Sequence, residues 1–286
     1  LVLSMAFFRN RSIVDVAESL DLVLPGSKGP SVGSNAISQA RARLGAAPVR
    51  WIFETCSAHW AYQSADAHRF RGLALFGADG TSMRVPDTPE NNARFGAPKS
   101  GRDGAGYPQL RLVGLFALRS HLLVRAAFGP YRTGEPTYAR ELWPSLPDHS
   151  LCILDRNYLA APTLIPLARE GVQRHWLTRA KKNTKWHVLG SLGRNDFLVE
   201  MKVSATARRQ DPSLPETWTV RAIRYQRKGF QSQWLLTSLL DPEGYPAGEI
   251  VDLYHERWEV EMAFDEVKTE VLDREEAIRS KSPRRT

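Results

Sequence analysis

This chain of 286 residues contains 42% hydrophobic and 24% charged residues, which is ordinary for a globular protein with room for one large domain or a few smaller ones. No apolar run approaches the roughly 18–20 residues that span a bilayer, which excludes a membrane-spanning segment. Cys56 and Cys152 form no metal-binding cluster, and two isolated cysteines fit a reducing, cytoplasmic compartment. The net charge of +8 favours a polyanionic partner, with nucleic acid as the leading candidate.

Residues 1–70 are predicted to be helical. Ser12 to Asp15 has the spacing of a capping box, residues 25–30 are expected to form a loop, and the helical pattern resumes at Ser34 to Leu44. Gly45 is expected to end that helix, and Pro48 to stand at the start of the next, over residues 49–63. Four polar residues of this region, which could contact DNA phosphates or equally face solvent, are Ser38, Gln39, Arg41 and Arg43.

Residues 71–180 alternate between strand and helix patterns. The predicted order is strands at 73–80, 110–118 and 121–128, a helix at 133–143, a strand at 151–155, a helix at 160–170 and a strand at 174–179. A long loop is expected over residues 86–108. Asp79 and Asp155 each end an apolar strand, so neighbouring parallel strands could bring their carboxylates together. Order alone predicts an α/β fold without choosing among several.

Residues 181–245 are predicted to form a β-rich insertion, with strands around Val199 to Val203, Trp218 to Tyr225 and Gln233 to Ser238. Two basic clusters with interleaved aromatic residues favour nucleic-acid binding. One comprises Arg179, Lys181, Lys182, Lys185 and Trp186; the other comprises Arg221, Arg224, Tyr225, Arg227 and Lys228. The basic end of the chain, residues 279–286, is predicted to be disordered.

Residues 246–286 are predicted to hold one long helix and this tail, because no Gly or Pro interrupts the pattern from Glu249 onward. At 3.6 residues per turn, four chemically active side chains share a sector about 60° wide at the edge of the apolar stripe. They are Tyr254, Arg257, Glu261 and Lys268. Geometry alone leaves two interpretations open: a metal ligand beside phosphate-binding cations, or a solvated Arg257–Glu261 pair of little energetic consequence.

The spacing of these four residues is the Y-R-E-K signature, and the chain resembles DDE transposases of the insertion sequence 4 family. The resemblance covers nearly the whole chain. It implies a ribonuclease H-like core with a β-rich insertion, preceded by a helical N-terminal region that helps to bind DNA ends. It also implies that Glu261 is the third metal-binding carboxylate.

Two further motifs match the family. Asp79-Gly80-Thr81 matches its first motif, and Asp155-Arg156-Asn157-Tyr158 its second. Taken alone, each aspartate could be only a turn residue after a strand. The resemblance makes Asp79, Asp155 and Glu261 the catalytic, metal-binding triad for two Mg²⁺ or Mn²⁺ ions, since hard cations prefer carboxylate oxygens. Rival carboxylates without a motif match are Asp87, Asp103 and Asp265.

Predicted DNA-binding residues surround this triad. Arg257 and Lys268 would bind phosphate oxygens, and Tyr254 a phosphate or a displaced base. Further basic candidates are Arg156, Lys181 and Lys182. Trp234 stands before a Leu-Leu-Thr run as in hairpin-forming relatives, where such a residue stacks on a flipped base; filling the core of the insertion is the alternative.

The resemblance implies a cut-and-paste DNA transposase that cleaves insertion-sequence ends and joins them to target DNA. A catalytically inactive DNA-binding remnant is the main alternative, because the sequence starts without Met and stops soon after the Y-R-E-K helix, as expected of a fragment truncated at both ends. A stand-alone metal-dependent nuclease is the third. The expected partners are double-stranded DNA, at terminal inverted repeats and target sites, and a second copy in the DNA complex; the expected location is the bacterial cytoplasm, at the nucleoid.

Overall fold

The computed structural model describes residues 1–8, 10–20, 34–98, 106–227 and 229–271, with residues 278, 281 and 283. The chain divides into two compact units, Leu1–Cys56 and Ser57–Thr286. Among the described residues, no helix is long and apolar enough to cross a membrane.

The first unit is helical. It contains α1 (Val2–Phe7), α2 (Ile13–Ser19) and α3 (Ser34–Leu44), and α4 (Ala47–Ala67) begins in it and ends in the second unit. The capping box is confirmed, because Ser12 and Asp15 exchange side-chain-to-backbone hydrogen bonds at the start of α2. Gly45 has a φ of 69° directly after α3, as its predicted capping position requires. The predicted loop at 25–30 lies outside the described residues.

The second unit is built on one sheet of nine strands. The strands are β1 (Ala74–Arg84), β2 (Gln109–Ala117), β3 (Leu122–Pro130), β4 (Ser150–Leu154), β5 (Arg174–Arg179), β6 (His187–Gly193), β7 (Asp196–Lys202), β8 (Thr217–Tyr225) and β9 (Gln233–Thr237). Their spatial order is β3-β2-β1-β4-β5-β9-β8-β7-β6. β1, β4 and β5 are parallel neighbours, and the remaining pairs are antiparallel.

Helices cover both faces of this sheet. They are α5 (Pro89–Phe95), α6 (Glu135–Leu142), α7 (Ala161–Arg169), α8 (Ala205–Gln210), α9 (Ala247–His255) and α10 (Trp258–Glu266). Alternation along β1 sends Phe76 into the core shared with α6 and α7, and Leu75 into the core shared with α9 and α10. Gly77 lets α10 approach β1 closely, since a Cβ there would collide with Val260.

The strands and helices from β1 to β5 follow the predicted order of a ribonuclease H-like core. The strands of residues 181–245 extend the same sheet, because β9 pairs with β5. β6 and α8 in this segment were not predicted. Arg221, assigned to a basic DNA-binding cluster, is fully buried in β8, so that assignment is wrong for this residue; Lys228 of the same cluster lies outside the described residues.

Three predicted boundaries are wrong. β1 does not end at Asp79 and Gly80 but continues to Arg84, because β2 pairs with it along that length. The segment predicted as a long loop contains α5, which Thr88 caps from its side chain and Pro89 opens. The last predicted helix is interrupted at Glu256 and Arg257, where backbone bonds from residue i to i−3 separate α9 from α10. α10 then passes into a π-helical segment, Val267–Val271.

Candidate active site

Asp79 and Asp155 are brought together by the register of β1 and β4. The parallel pairing ends at Ala78 opposite Leu154, and each aspartate is the next residue of its chain segment. Asp79 stays on β1, opposite Gly114 of β2. The first two members of the predicted triad therefore lie side by side at the carboxyl end of β4.

Local hydrogen bonds fix both aspartates. Oδ1 of Asp79 accepts from the backbone N–H of Gly80 at 2.8 Å, and Oδ1 of Asp155 accepts from the backbone N–H of Asn157 at 2.5 Å. The hydroxyl of Thr178 on β5 donates to the carbonyl oxygen of Asp155 at 2.8 Å. Within the part of the chain that the structure describes, these bonds use Oδ1 of each carboxylate and leave Oδ2 available for a further ligand.

The electrostatics at Asp79 favour a bound cation. The pKa of Asp79 is raised to about 6, chiefly by burial; the charges of Asp155 and Glu135 contribute to the rise, and the bond from Gly80 and the charge of Arg257 oppose it. Clustered carboxylates repel one another unless a proton or a cation compensates them. A divalent ion bound by oxygen ligands fits this pair of donors.

Glu135 is an acidic neighbour that sequence reasoning missed. It is the first residue of α6, its Oε1 accepts from Nη1 of Arg111 at 2.9 Å, and both side chains are 19% exposed. Burial raises the pKa of Glu135. The charge of Arg111 lowers this pKa, and the charge of Asp155 raises it. No sequence spacing points to Glu135, because pairing of β2 with β1 and packing of α6 bring it to the site.

Glu261 is held differently from the two aspartates. It lies in the first turn of α10, where Oε1 accepts from Nη2 of Arg257 at 2.5 Å, and its side chain is 36% exposed. Among the described residues, no group of three His, Cys, Asp or Glu side chains is close enough to hold a metal ion. The structure thus places Asp79 and Asp155 side by side, whereas Glu261 does not lie close enough to form a three-residue metal site with them.

An open cavity of about 380 Å³ adjoins Asp155. Its lining comprises Asp155, Arg156, Arg179, Tyr225, Arg227, Phe230, Gln231, Gln233, Tyr254, His255, Arg257 and Trp258. The predicted site residues Asp155, Arg156, Tyr254 and Arg257 therefore share this surface with Arg179, Tyr225 and Arg227 of the predicted basic clusters. Phe230 and Trp258 are largely exposed, at 66% and 58%. Four arginines beside exposed rings suit a ligand that carries both phosphate and aromatic base.

Tyr254 lies deeper than the helical pattern predicted. Its side chain is buried in the core between the sheet and α9–α10, and burial raises its pKa to about 12, against the charges of Arg257 and Arg179. Its phenol therefore stays protonated and can donate a hydrogen bond into the cavity. His255, the next residue, lines the cavity too and was not predicted; its Nε2 is buried without a partner among the described residues.

The remaining predicted residues lie around this centre. Nζ of Lys181 donates to the carbonyl oxygens of Asn157 and Leu159, at 3.4 and 3.3 Å, so Lys181 supports the segment after Asp155. Lys182 is exposed, and Lys268 is half-buried in the π-helical segment.

Trp234 lies on the face of β9 opposite the cavity. Its ring contacts Trp186 and Phe197, at centroid distances of 5.2 and 5.9 Å, while its neighbour Gln233 lines the cavity. Trp234 is partly buried against the core shared with α6 and α7. The structure does not bring it to the two aspartates, and its base-stacking role stays a prediction.

Comparisons with known proteins agree on one family. The family described as Transposase DDE domain matches residues 49–286, and the insertion element 4 transposase N-terminal region matches residues 1–54. Transposase InsG for insertion sequence element IS4 of Escherichia coli K12 is 36% identical over 282 residues, 99% of this chain and 63% of InsG. Putative transposase InsZ of the same strain is 33% identical over 237 residues, 77% of this chain and 78% of InsZ.

A solved structure, a piggyBac transposase synaptic complex with hairpin DNA, matches 69% of this chain and 41% of its own at 12% identity and a TM-score of 0.40. The chain thus spans somewhat less than two thirds of the length of InsG.

Proposed function

This chain belongs to the transposase family that carries the DDE domain, and we propose that it acts as an insertion sequence 4 type DNA transposase. The domain confirms the predicted ribonuclease H-like core. In this proposal the protein cleaves DNA at the ends of an insertion sequence and joins them to target DNA. The observation that carries the proposal is the register that puts Asp79 beside Asp155, which itself lines a cavity rich in arginine.

DDE transposase domains generally use divalent metal ions, and the donors here fit such an ion. Asp79 and Asp155 supply hard oxygen ligands, and the pKa of Asp79, raised by burial, marks a carboxyl group that a cation would keep ionised. Two Mg²⁺ or Mn²⁺ ions would activate the attacking oxygen and stabilise the charge that develops at the scissile phosphate. Glu261 is the third ligand of this proposal.

The Arg257–Glu261 pair suggests how Glu261 becomes available. Arg257 now donates to Glu261, and its charge also acts on Asp79. A DNA phosphate is a bidentate partner for a guanidinium and would compete with Glu261 for Arg257. We propose that binding of DNA releases Glu261 toward the two aspartates, so that the third ligand joins the centre only when substrate is present.

The DNA-binding part of the proposal follows the cavity and its rim. Arg156 and Arg257, with Arg179 and Arg227 of the two predicted basic clusters, would bind phosphates, and Tyr254 would donate to one of them. Lys182 and Lys268 would extend this surface. The DNA partners in this proposal are the terminal inverted repeats and the target site, and two copies of the chain would hold them together. The reaction would take place in the bacterial cytoplasm, at the nucleoid.

A DNA-binding transposase without catalytic activity is the second candidate. The observation that favours it is the pairing of Glu261 with Arg257, which leaves no group of three metal-binding side chains among the described residues. Such a protein would bind the same DNA ends but leave the strands intact.

The deciding experiment compares wild type with Asp79→Asn on duplex DNA that ends in the inverted repeats flanking the gene of this chain. Wild type should cut the DNA with Mg²⁺ or Mn²⁺, and Asp79→Asn should lower cutting at least 10³-fold while binding in a gel shift is retained, because an amide is a poor ligand for a hard cation. Asp265→Asn, exposed on α10, is the matched control and should cut like wild type.

Full cutting by Asp79→Asn would place the metal centre elsewhere. Binding without cutting by wild type, with both metals, would favour the second candidate.

A further inference from the structure

Glu135 occupies the space beside Asp79 that a side chain at residue 80 would fill. A Cβ built on Gly80 would lie 2.6, 2.7 and 2.9 Å from Cγ, Cδ and Oε1 of Glu135. Only glycine at residue 80 therefore leaves room for this carboxylate directly against β1. The close approach of Glu135 therefore explains why this fold needs glycine at the second position of the Asp-Gly-Thr motif.

The edge of β1 is open at this point. Pairing with β4 stops at Ala78, while β1 continues to Arg84. Beyond Ala78, groups from the α6 face of the sheet can reach the side of β1 where Asp155 lies. Glu135 stands at the start of α6 on that edge, and its charge acts on Asp79.

Arg111 fixes the orientation of Glu135. The guanidinium of Arg111 donates to Oε1 of Glu135 at 2.9 Å, and its Cζ lies 4.8 Å from the ring centroid of Tyr131. Stacking on that ring limits the conformations of Arg111. Among the described residues, Arg111 bonds to Oε1 of Glu135, and Oε2 remains able to accept a hydrogen bond.

Tyr158 gives a second, independent indication of a ligand at this place. Its side chain is fully buried, and its hydroxyl has no hydrogen-bond partner among the described residues. The charges of Asp79, Glu135 and Asp155 all act on this hydroxyl. A buried phenol needs an acceptor, so a water or ligand oxygen between Tyr158 and the three carboxylates would satisfy it.

We propose that Glu135 is a positioning residue of the metal centre, whose carboxylate accepts hydrogen bonds from water carried by an ion at Asp79 and Asp155. The inference rests on the proposed function. Glu135 acts beyond the direct ligands, because it forms no three-ligand group with the two aspartates. Groups in this position orient the direct ligands and the water on the ion, and their loss typically weakens metal affinity by about 10–100-fold.

The test measures Mn²⁺ affinity of the full chain without DNA, by calorimetry, so that cleavage is not the readout. Glu135→Gln should weaken Mn²⁺ binding about tenfold or more while the melting temperature of the metal-free protein stays close to wild type. Glu141→Gln, exposed on the same helix, is the matched control and should bind Mn²⁺ like wild type. Gly80→Ala, which displaces the Glu135 side chain without removing its charge, should weaken binding in the same direction.

Asp79→Asn separates this inference from the function on which it rests. If Asp79→Asn abolishes Mn²⁺ binding while Glu135→Gln binds like wild type, the positioning role is wrong and the metal centre stands. If Asp79→Asn binds Mn²⁺ like wild type, the metal centre itself is wrong. If Glu135→Gln and Glu141→Gln weaken Mn²⁺ binding equally, the cause is the change in overall charge, and the inference is overturned.

Discussion

At the scale of single residues, Arg257 is the cation that acts on two predicted metal ligands. Its Nη2 lies 2.5 Å from Oε1 of Glu261, and its charge lowers the pKa of Asp79 against the effect of burial. The Arg257 side chain is only 22% exposed, so its interactions are screened less than those of a surface arginine. Arg257 therefore balances acidic charge in this structure, and in the proposed DNA complex it would bind a phosphate.

Replacing Arg257 by Ala should weaken binding to DNA and make its salt dependence shallower. Loss of one phosphate contact changes the slope of log K against log salt by about 0.9. The measurement is a titration of a short duplex at several salt concentrations. Arg208→Ala, a partly exposed arginine on α8 that pairs with Glu216, is the control and should keep the wild-type slope. Equal slopes in Arg257→Ala and wild type would show that Arg257 contacts no phosphate and only pairs with Glu261 on the helix.

The residues that sequence reasoning found are those whose positions follow from short, fixed spacings. Asp79, Asp155 and Arg257 stand in sequence motifs. Only the parallel register of two strands and the spacing of one helix turn are needed to bring these side chains to the site. Glu135 reaches the site through the β1–β2–α6 arrangement, and Phe230 through a loop after β8. No local pattern encodes such contacts, because they depend on which distant elements pair.

At the scale of elements, α9 and α10 are tied to the sheet by charged side chains along their length. Arg71 binds Glu249 through two bonds of 2.7 and 2.5 Å, and Arg119 binds Glu256 through two of 2.6 and 2.7 Å. Further along, the ring of His121 lies 2.8 Å from both Glu259 and Glu266. The exposed arginine pairs contribute little each, but His121 is only 16% exposed and bridges two turns of α10.

His121 should make the attachment of α10 depend on pH. Burial lowers the pKa of His121, but its bonds to Glu259 and Glu266 outweigh burial and raise it. The stabilisation is therefore complete below the unfolded value of about 6.5 and is lost as pH rises through the raised folded value. His121→Asn, which tolerates the φ of 57° at this turn, should lower the melting temperature at pH 6 more than at pH 9.

Melting curves at the two pH values check this expectation, with His187→Asn, exposed on β6, as the control. An equal loss of melting temperature at pH 6 and pH 9 in His121→Asn would show that the charge of His121 is not what holds α10.

Strands with strong alternation and helices with clear caps could be predicted at this scale, and β4, β5 and α3 match their predicted ranges within one or two residues. The break between α9 and α10 could not, since no Gly or Pro marks Glu256 or Arg257. We attribute the tighter turn there to close packing of α10 on β1 at Gly77 and to the bonds of Arg119 and His121. Tertiary contacts override helix propensity in this case.

At the scale of the second unit, the long sheet depends on a narrow connection. β9 meets β5 through three residue pairs, from Leu177–Thr237 to Arg179–Leu235, yet β6 to β9 form nearly half of the sheet order. A buried arginine holds the outer strands together. Arg221 of β8 binds Asp196 of β7 through bonds of 2.8 and 2.5 Å, with side-chain exposures of 0% and 5%. It therefore ties two outer strands to each other.

The same guanidinium reaches the segment that leads into α9. Nη1 of Arg221 donates to the carbonyl oxygens of Leu239, Asp241 and Tyr245, at 3.3, 3.2 and 2.7 Å. One side chain thus connects the outer strands to the chain that delivers Arg257 and Glu261 to the site. Removing it would leave the Asp196 charge and three carbonyl oxygens without their donor in the interior.

Arg221→Met should therefore lower the melting temperature on the order of 10 °C, since breaking a buried pair costs about 3–5 kcal/mol. Arg224→Met, on the same strand but exposed, with its side chain bonded to Ser232, should shift the melting temperature by about 1–2 °C at most. Adding Asp196→Leu to Arg221→Met should recover part of the loss, because it removes the unpaired charge.

Hydrogen exchange then separates a general loss of stability from a lost connection. If Arg221 links the outer strands to α9, amides of residues 239–250 should exchange faster in Arg221→Met than in another variant of equal melting temperature, such as a core truncation at Leu164. Equal exchange in that segment would mean that Arg221 only stabilises β7 against β8. Faster exchange confined to the segment would instead show that a residue outside the cavity controls how firmly the chain leading to Arg257 and Glu261 is held.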